Sequence, residues 1–269
     1  MDEMHNNPHI PKKFLDSNII KLIAIIAMTI DHLAWAIFPG YSLNPIAIVM
    51  HIIGRITCPI MCFFVAEGYF YTRNIKKYTR RMFLFALISH VPYILNSIQF
   101  KEFGYLSLVP FVTGNGFFGH VLNQTSVMWS LAIGLVMLRV NDSEKINQKL
   151  KLPLILLLCL VSFMADWSCI SSMVVFAIGT NRNNKLKQIL WSLFFICLYA
   201  LVYFFALSRT YGLIQLGVIF SLPVLYFYNG ERGKNKKVNN FMKWFFYIYY
   251  PLHLLIIFFV FILKWKKCH

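Results

Sequence analysis

Apolar residues fall into nine runs along the chain, at 19–38, 46–71, 82–98, 126–138, 152–165, 170–180, 189–207, 212–228 and 244–263, and the loops between them hold nearly all of the charge. A helix that crosses a bilayer needs about 20 mainly apolar residues, within a range of roughly 17–25. The runs at 126–138, 152–165 and 170–180 are short, which predicts tilted neighbours, re-entrant pieces or helices extended at their ends. The pattern as a whole predicts an all-α polytopic integral membrane protein with about nine transmembrane helices. Asp16, Ser17 and Asn18 stand just before the first run as N-cap residues. They divide a polar N-terminal segment, 1–18, from a single helical membrane domain, 19–269. Asp2 and Glu3, with no small-residue cleavage site after Phe38, predict a retained first helix rather than a cleaved signal. The long connection 99–125, with four glycines and one proline, predicts a lid or half-inserted loop.

Composition agrees with this reading. Hydrophobic residues make up 58% of the 269 and charged residues 13%, with a mean hydropathy of +0.61; a soluble domain carries about 25% charged residues. A soluble globular enzyme, a disordered tail and a nucleic-acid-binding domain built on exposed basic helices are excluded. The expected surroundings are a lipid bilayer, with no nucleic acid partner. The net charge of +16 then reads as a topology signal. Lys and Arg number two before the first run, five in 72–81, four in 139–151, three in 181–187 and five in 229–243, nineteen in all; the alternate loops and the tail hold five. The bias alternates without exception until the basic tail, placing the N-terminus in the cytoplasm and the chain in a cytoplasmic (inner) membrane. The six cysteines, Cys58, Cys62, Cys159, Cys169, Cys197 and Cys268, form no zinc-like pairs and read as small apolar residues. No metal site is expected.

Charge at membrane depth carries the chemistry, because each such residue costs about 2.5–3.5 kcal/mol at a helix centre. Asp31, Glu67, Lys21 and Arg55 lie within the runs, Asp166 at a run's end, and His32, His51, His90 and His253 join them. The first two runs form a hairpin across the short loop 39–44, so depths can be compared. His32 and His51 each lie about 9 Å below the far surface, and Arg55 is one turn deeper on the face of His51. The hairpin therefore predicts one intramembrane cluster of Asp31, His32, His51 and Arg55, with Asp31–Arg55 as its charge pair. Lys21 and His32 are eleven residues apart, nearly three turns, so both project from one face, about 16 Å apart along the axis. Glu67 has the depth of Lys21 and is its expected partner. Pro59, Pro92 and Pro251 accompany Arg55, His90 and His253, as expected where helices break around a site.

Blander readings stand beside these. Lys21 is also a snorkelling end residue, Asp31–Arg55 a structural bridge, and His51, His90 and His253 interhelical hydrogen-bonding groups. Trp35, Trp244 and Tyr228 read as interface anchors. The basic loop of Arg73, Lys76, Lys77, Arg80 and Arg81 is a positive-inside signal that could also hold phosphates.

The stretch from Ile19 to Arg81, with IIKLIAIIAMTIDHLAWAIFP and IIGRITCPIMCFFVAEGYFYTRNIKKYTRR, resembles the TraX family, whose named member is the F-pilin N-acetylase. The resemblance continues in ISHVPYIL (88–95), the Asp166 region, YNGERG (228–233) and YIYYPLHL (247–254), and covers 19 to about 262. At 165–168 the chain reads ADWS, where family members tend to have Asp-Tyr-Gly. Lys21 and His32 are also similar to the R/K-x10-H motif of membrane acyltransferases that use acetyl-CoA. These resemblances imply an integral-membrane acetyltransferase that takes acetyl from cytoplasmic acetyl-CoA. The implied acceptor is a terminal amine of a pilin-like peptide, or a hydroxyl or amine of a cell-envelope glycan. The expected roles are His32 as general base or transient acyl carrier, Asp31 as its orienting group, and Arg55 with His51 as oxyanion stabilisers. Lys21, Arg73, Lys77, Arg80 and Arg81 would hold the CoA phosphates, and Glu67, His90, Asp166 and His253 would line the substrate side. A transporter or a non-catalytic assembly factor for surface structures would also want such residues.

Overall fold

Asp16 opens the first helix as the sequence predicts: its carboxylate accepts from the backbone N–H groups of Asn18 and Ile19, at 2.9 and 3.0 Å. In the computed structural model, which describes residues 13–97, 115–116, 119–120 and 124–268, helix α1 runs Ser17–Ile37, α2 Pro45–Arg55, α3 Thr57–Tyr71 and α4 Ile75–Asn96. After the 115–120 region come α5 Val127–Asp142, α6 Gln148–Ser162, α7 Ser168–Thr180 and α8 Lys185–Ala206. Then α9 Arg209–Ile214, a 3-10 turn Gln215–Phe220 and α10 Ser221–Tyr226 form one interrupted rod, and α11 Lys236–Cys268 ends the described chain. A two-residue β-ladder pairs Asn115 with His120 and Gly116 with Gly119. The rest of the predicted 99–125 lid lies largely outside the described residues.

Each of the nine apolar runs is helical through most of its length, and the chain is a helical membrane protein. Among the described residues four stretches are long and apolar enough to cross a membrane: Ser17–Ile37, Pro45–Tyr71, Lys185–Ala206 and Lys236–Phe261. Run 82–98 belongs to a longer helix, α4, whose first turns carry the basic residues Lys76, Lys77, Arg80 and Arg81.

The three prolines behave differently from one another. Pro59 has no N–H to offer the carbonyl of Arg55, and the second run breaks there, between α2 and α3 at Ile56. Pro92 and Pro251 lie inside continuous helices, which corrects the expectation of a break at each. The side-chain amide of Asn96 donates to the carbonyls of Pro92 and Leu254, at 2.9 and 2.7 Å, and so ties α4 to α11 at the first of them.

Packing is tightest between α5 and α7, where hydroxyls do the joining. The Ser130 and Ser171 hydroxyls bond each other, and the Ser172 hydroxyl donates to the Ser130 carbonyl at 2.7 Å. Between helices in lipid, small polar residues permit close approach and supply bonds that water does not contest. The core is continuous with α3 and α11 through Cys58, Cys62, Leu131, Val175 and Tyr250. Cys58 and Cys62 are buried free thiols packed in that core.

Candidate functional site

The hairpin of α1 and α2 closes over a single glycine. A Cβ on Gly54 would stand 2.3 Å from the Cβ of Asp31, so only glycine lets the helices meet there. The next residue, Arg55, can therefore reach across. Its Nη2 donates to both carboxylate oxygens of Asp31, at 2.8 and 2.6 Å, its Nη1 to the Gln215 side-chain oxygen at 3.1 Å, and its Nε to the His51 carbonyl at 3.3 Å. His51 Nδ1 donates to Asp31 Oδ1 at 2.8 Å. Asp31, His51 and Arg55 thus form the cluster that the hairpin predicts, with the charge pair as expected. Buried charges persist only when paired and hydrogen-bonded on all sides, and here Gln215 completes the set.

His32 stands apart from that network, which corrects the assignment of Asp31 as its orienting group. Adjacent residues on a helix diverge by about 100°, and His32 turns towards α11. Its Nδ1 lies 2.9 Å from the Met28 carbonyl and 3.0 Å from Nε2 of His253. His253 Nδ1 in turn lies 2.8 Å from the Tyr249 carbonyl. Carbonyls only accept, so both Nδ1 atoms carry the protons and His253 Nε2 accepts from His32. With Nδ1 protonated, the neutral form of the ring carries its lone pair on Nε2. The Met28 carbonyl thus sets the tautomer of His32, and His253, expected on the substrate side, shares the same Nδ1–H. Its ring is stacked on Tyr249 at 5.1 Å, whose hydroxyl bonds Thr29 on α1 at 2.8 Å.

The two networks share a small cavity of about 40 Å³, lined by Asp31, His32, Arg55, Thr57, Asp166 and Tyr250 among others, with room for about one or two waters. Its far wall is the α6–α7 turn. Thr125 and Asp166 are joined there by backbone bonds: Thr125 N–H donates to the Met164 carbonyl at 2.9 Å, and Asp166 N–H donates to the Thr125 carbonyl at 2.7 Å. His90 Nδ1 bonds the Thr125 hydroxyl at 3.0 Å, so His90 reaches the site's wall rather than its cavity. Trp167 lies over Arg55, with the guanidinium carbon 5.3 Å from the ring centre, and stacks on Tyr199 at 5.3 Å. Trp167 and Ser168 both have left-handed backbones, with φ of 63° and 52°. Such a pair of non-glycine residues is strained, and the second is where the family resemblance expects glycine.

At the end bearing the basic loops, Lys21 Nζ lies 5.0 Å from the Phe64 ring centre and 5.9 Å from that of Phe246. Arg81 lies 5.0 Å from Tyr247 and 5.8 Å from Trp244. The two cations therefore flank neighbouring rings of α11. Arg232 acts on Lys21, and Lys77, Arg81 and Arg232 all act on Lys243, so five cations are near enough to repel one another at this end. Arg73 and Arg80 are exposed. Glu67 faces Arg182 and Lys185 instead of Lys21. Phe64 and Tyr228, whose ring centres are 5.6 Å apart, form an aromatic wall beside Lys21.

Sequence reasoning missed Gln215, Trp167, Arg232 and Lys243. Trp35 packs on His51 at 4.6 Å between ring centres. A buried glutamine in an apolar rod was the one available signal for Gln215.

The TraX protein family model matches residues 16–261. The chain belongs to the TraX family. This TraX-family chain is 29% identical over 241 residues to the probable fimbrial assembly protein FimC, serogroup H1, of Dichelobacter nodosus, covering 87% of this chain and 91% of that protein. It is 33% identical over 86 residues to the uncharacterized protein RP591 of Rickettsia prowazekii (strain Madrid E), covering 32% and 29% of the two. No solved structure matches it. The match spans every residue of the polar site, from Asp31 to His253.

Proposed function

We propose that this TraX-family protein is an integral-membrane acetyltransferase that takes acetyl from cytoplasmic acetyl-CoA and serves the assembly or modification of pilus-like structures. The acceptor is the terminal amine of a pilin-like peptide, or a hydroxyl or amine of a cell-envelope glycan. In this reading the chain crosses the cytoplasmic membrane nine times, α2–α3 and α9–α10 each counting once, with the basic end in the cytoplasm. The observation that carries the reading is the free Nε2 lone pair of His32 in the same cavity as Arg55. His32 takes the proton of the acceptor as its nitrogen or oxygen attacks the thioester carbonyl. Arg55 stabilises the oxyanion, the C–S bond breaks, and the proton passes from His32 to the departing thiolate. Asp31, Gln215 and Trp167 keep the guanidinium in place. The five cations gathered near Lys21 and Arg81 suit the phosphates of CoA.

The reading is tested by titrating acetyl-CoA into purified, detergent-solubilised protein. Saturable binding, weakened by Lys21→Ala and by Arg81→Ala, is the expected result. A folded protein that binds no acetyl-CoA would leave the second reading, a non-catalytic assembly factor, which the name of the Dichelobacter relative, a probable fimbrial assembly protein, favours.

A further inference from the structure

A second cavity, of about 580 Å³, lies between α3, α7, α8 and α10. Its origin is the way α8 is held. The buried residues of α8 are Ile196, Tyr199 and Ala200, all in the half far from the basic loops. The half from Lys185 to Phe195 touches α7 through Gln188, whose amide donates to the Ile178 carbonyl at 2.9 Å, and its inner face otherwise borders a gap. The walls of the resulting gap are apolar: Phe63, Ile178, Ile189, Leu193 and Leu225 line it. From Lys185 to Ile196 is eleven residues, a depth of about 16 Å, or about half of a 30 Å hydrocarbon core. The cavity is therefore one leaflet deep. Its flanks, Leu186, Leu190 and Tyr226, are 65%, 57% and 55% exposed, so it lies among surfaces that face lipid.

Its mouth is cationic. Lys13, Arg182 and Lys185 line it against the single carboxylate of Glu67. Arg182 is held over the rings of Phe70 and Tyr71, at 4.5 and 5.2 Å, and Lys13 and Lys185 are close enough to repel each other. Three cations against one carboxylate, at the surface end of a leaflet-deep apolar slot, complement an amphiphile with an anionic head.

We propose that this cavity holds a glycerophospholipid of the cytoplasmic leaflet, with an acyl chain between α8 and α10 and an anionic headgroup on Arg182 and Lys185. The leaflet assignment rests on the orientation proposed above; the site itself is separate from the polar cavity.

The test is native mass spectrometry of the full chain in detergent micelles, titrated with dioleoyl phosphatidylglycerol and, in parallel, with dioleoyl phosphatidylcholine. Wild type should retain one phosphatidylglycerol in preference to phosphatidylcholine. Arg182→Ala and Lys185→Ala, at exposed positions that leave the fold intact, should each weaken phosphatidylglycerol about fivefold. Ser192→Trp, which fills the slot without changing charge, should reduce retention of both lipids. Equal retention of the two lipids by wild type, or retention unchanged in all three variants, would overturn the proposal. Stoichiometric displacement of phosphatidylglycerol by acetyl-CoA would overturn it too, by giving the cavity to the soluble donor. Failure of acetyl-CoA to bind anywhere leaves the lipid result standing, so the two proposals fail separately.

Discussion

The α1–α2 hairpin and the α1–α11 seam meet at adjacent residues, Asp31 and His32, and are built in opposite ways. The hairpin is local in sequence, charged and closed: Asp31, His51 and Arg55 come from within 25 residues of one another, and every bond among them involves an ionic group. The seam is assembled across 221 residues from neutral rings and carbonyls. The contrast separates two duties. A guanidinium kept in apolar surroundings needs permanent pairing, and the hairpin supplies it. In the proposed mechanism a base needs an uncommitted lone pair, and the seam leaves one on Nε2 of His32.

Variants can break the comparison at either side. The largest effects are expected in the hairpin, where Gly54→Ala puts a new methyl against Asp31 at the closest approach of the two helices; overpacking of this kind costs about 3 kcal/mol. Thermal unfolding in detergent should show the loss together with loss of transfer. Asp31→Asn strands Arg55 and should cost about 3–5 kcal/mol. Adding Arg55→Met should recover much of that stability and none of the activity, and a double-mutant cycle on unfolding free energies would refute the pairing if the two changes simply summed. On the seam, the effects should fall on rate rather than stability. His32→Ala should slow acetyl transfer by about 10²- to 10⁴-fold with an unfolding midpoint close to that of wild type. His253→Gln should slow it less, and should also move the pH profile of transfer, a change that a purely structural histidine would not produce. The smallest effect belongs to the turn between them: Ser168→Gly relieves a left-handed backbone worth about 1 kcal/mol and should raise the unfolding midpoint slightly. A lowered midpoint would mean that the Ser168 hydroxyl bond to the Phe163 carbonyl, 3.0 Å long, outweighs the strain.

The same division explains what could be read from the residues alone. Asp31–Arg55 was legible because the loop 39–44 is too short to let the two helices part, so depth along one implied depth along the other. The helical runs were legible because lipid demands long apolar stretches. The His32–His253 bond was not, since it depends on how α11 is rotated against α1, and no spacing within either helix reports that. Glu67 was paired with Lys21 on depth alone, while the azimuth of α3 turned it to Arg182 and Lys185. Trp167 was hidden for a different reason: its place over Arg55 comes from a left-handed turn that no propensity favours for tryptophan.

Helix α6 has a consequence outside the site. It spans 15 residues, about 22 Å, and Leu152, Leu156 and Leu160 on it are 65%, 57% and 71% exposed. In the nine-span reading proposed above this helix is a lipid-facing wall, and that height falls short of a hydrocarbon core of about 30 Å. Hydrophobic mismatch of this kind draws the surrounding bilayer thinner, at a fraction of a kcal/mol per Å. The α6 side of the protein therefore favours short-chain lipids, and with them the thinner regions of its membrane, where a neighbour with an equally short wall would share the deformation.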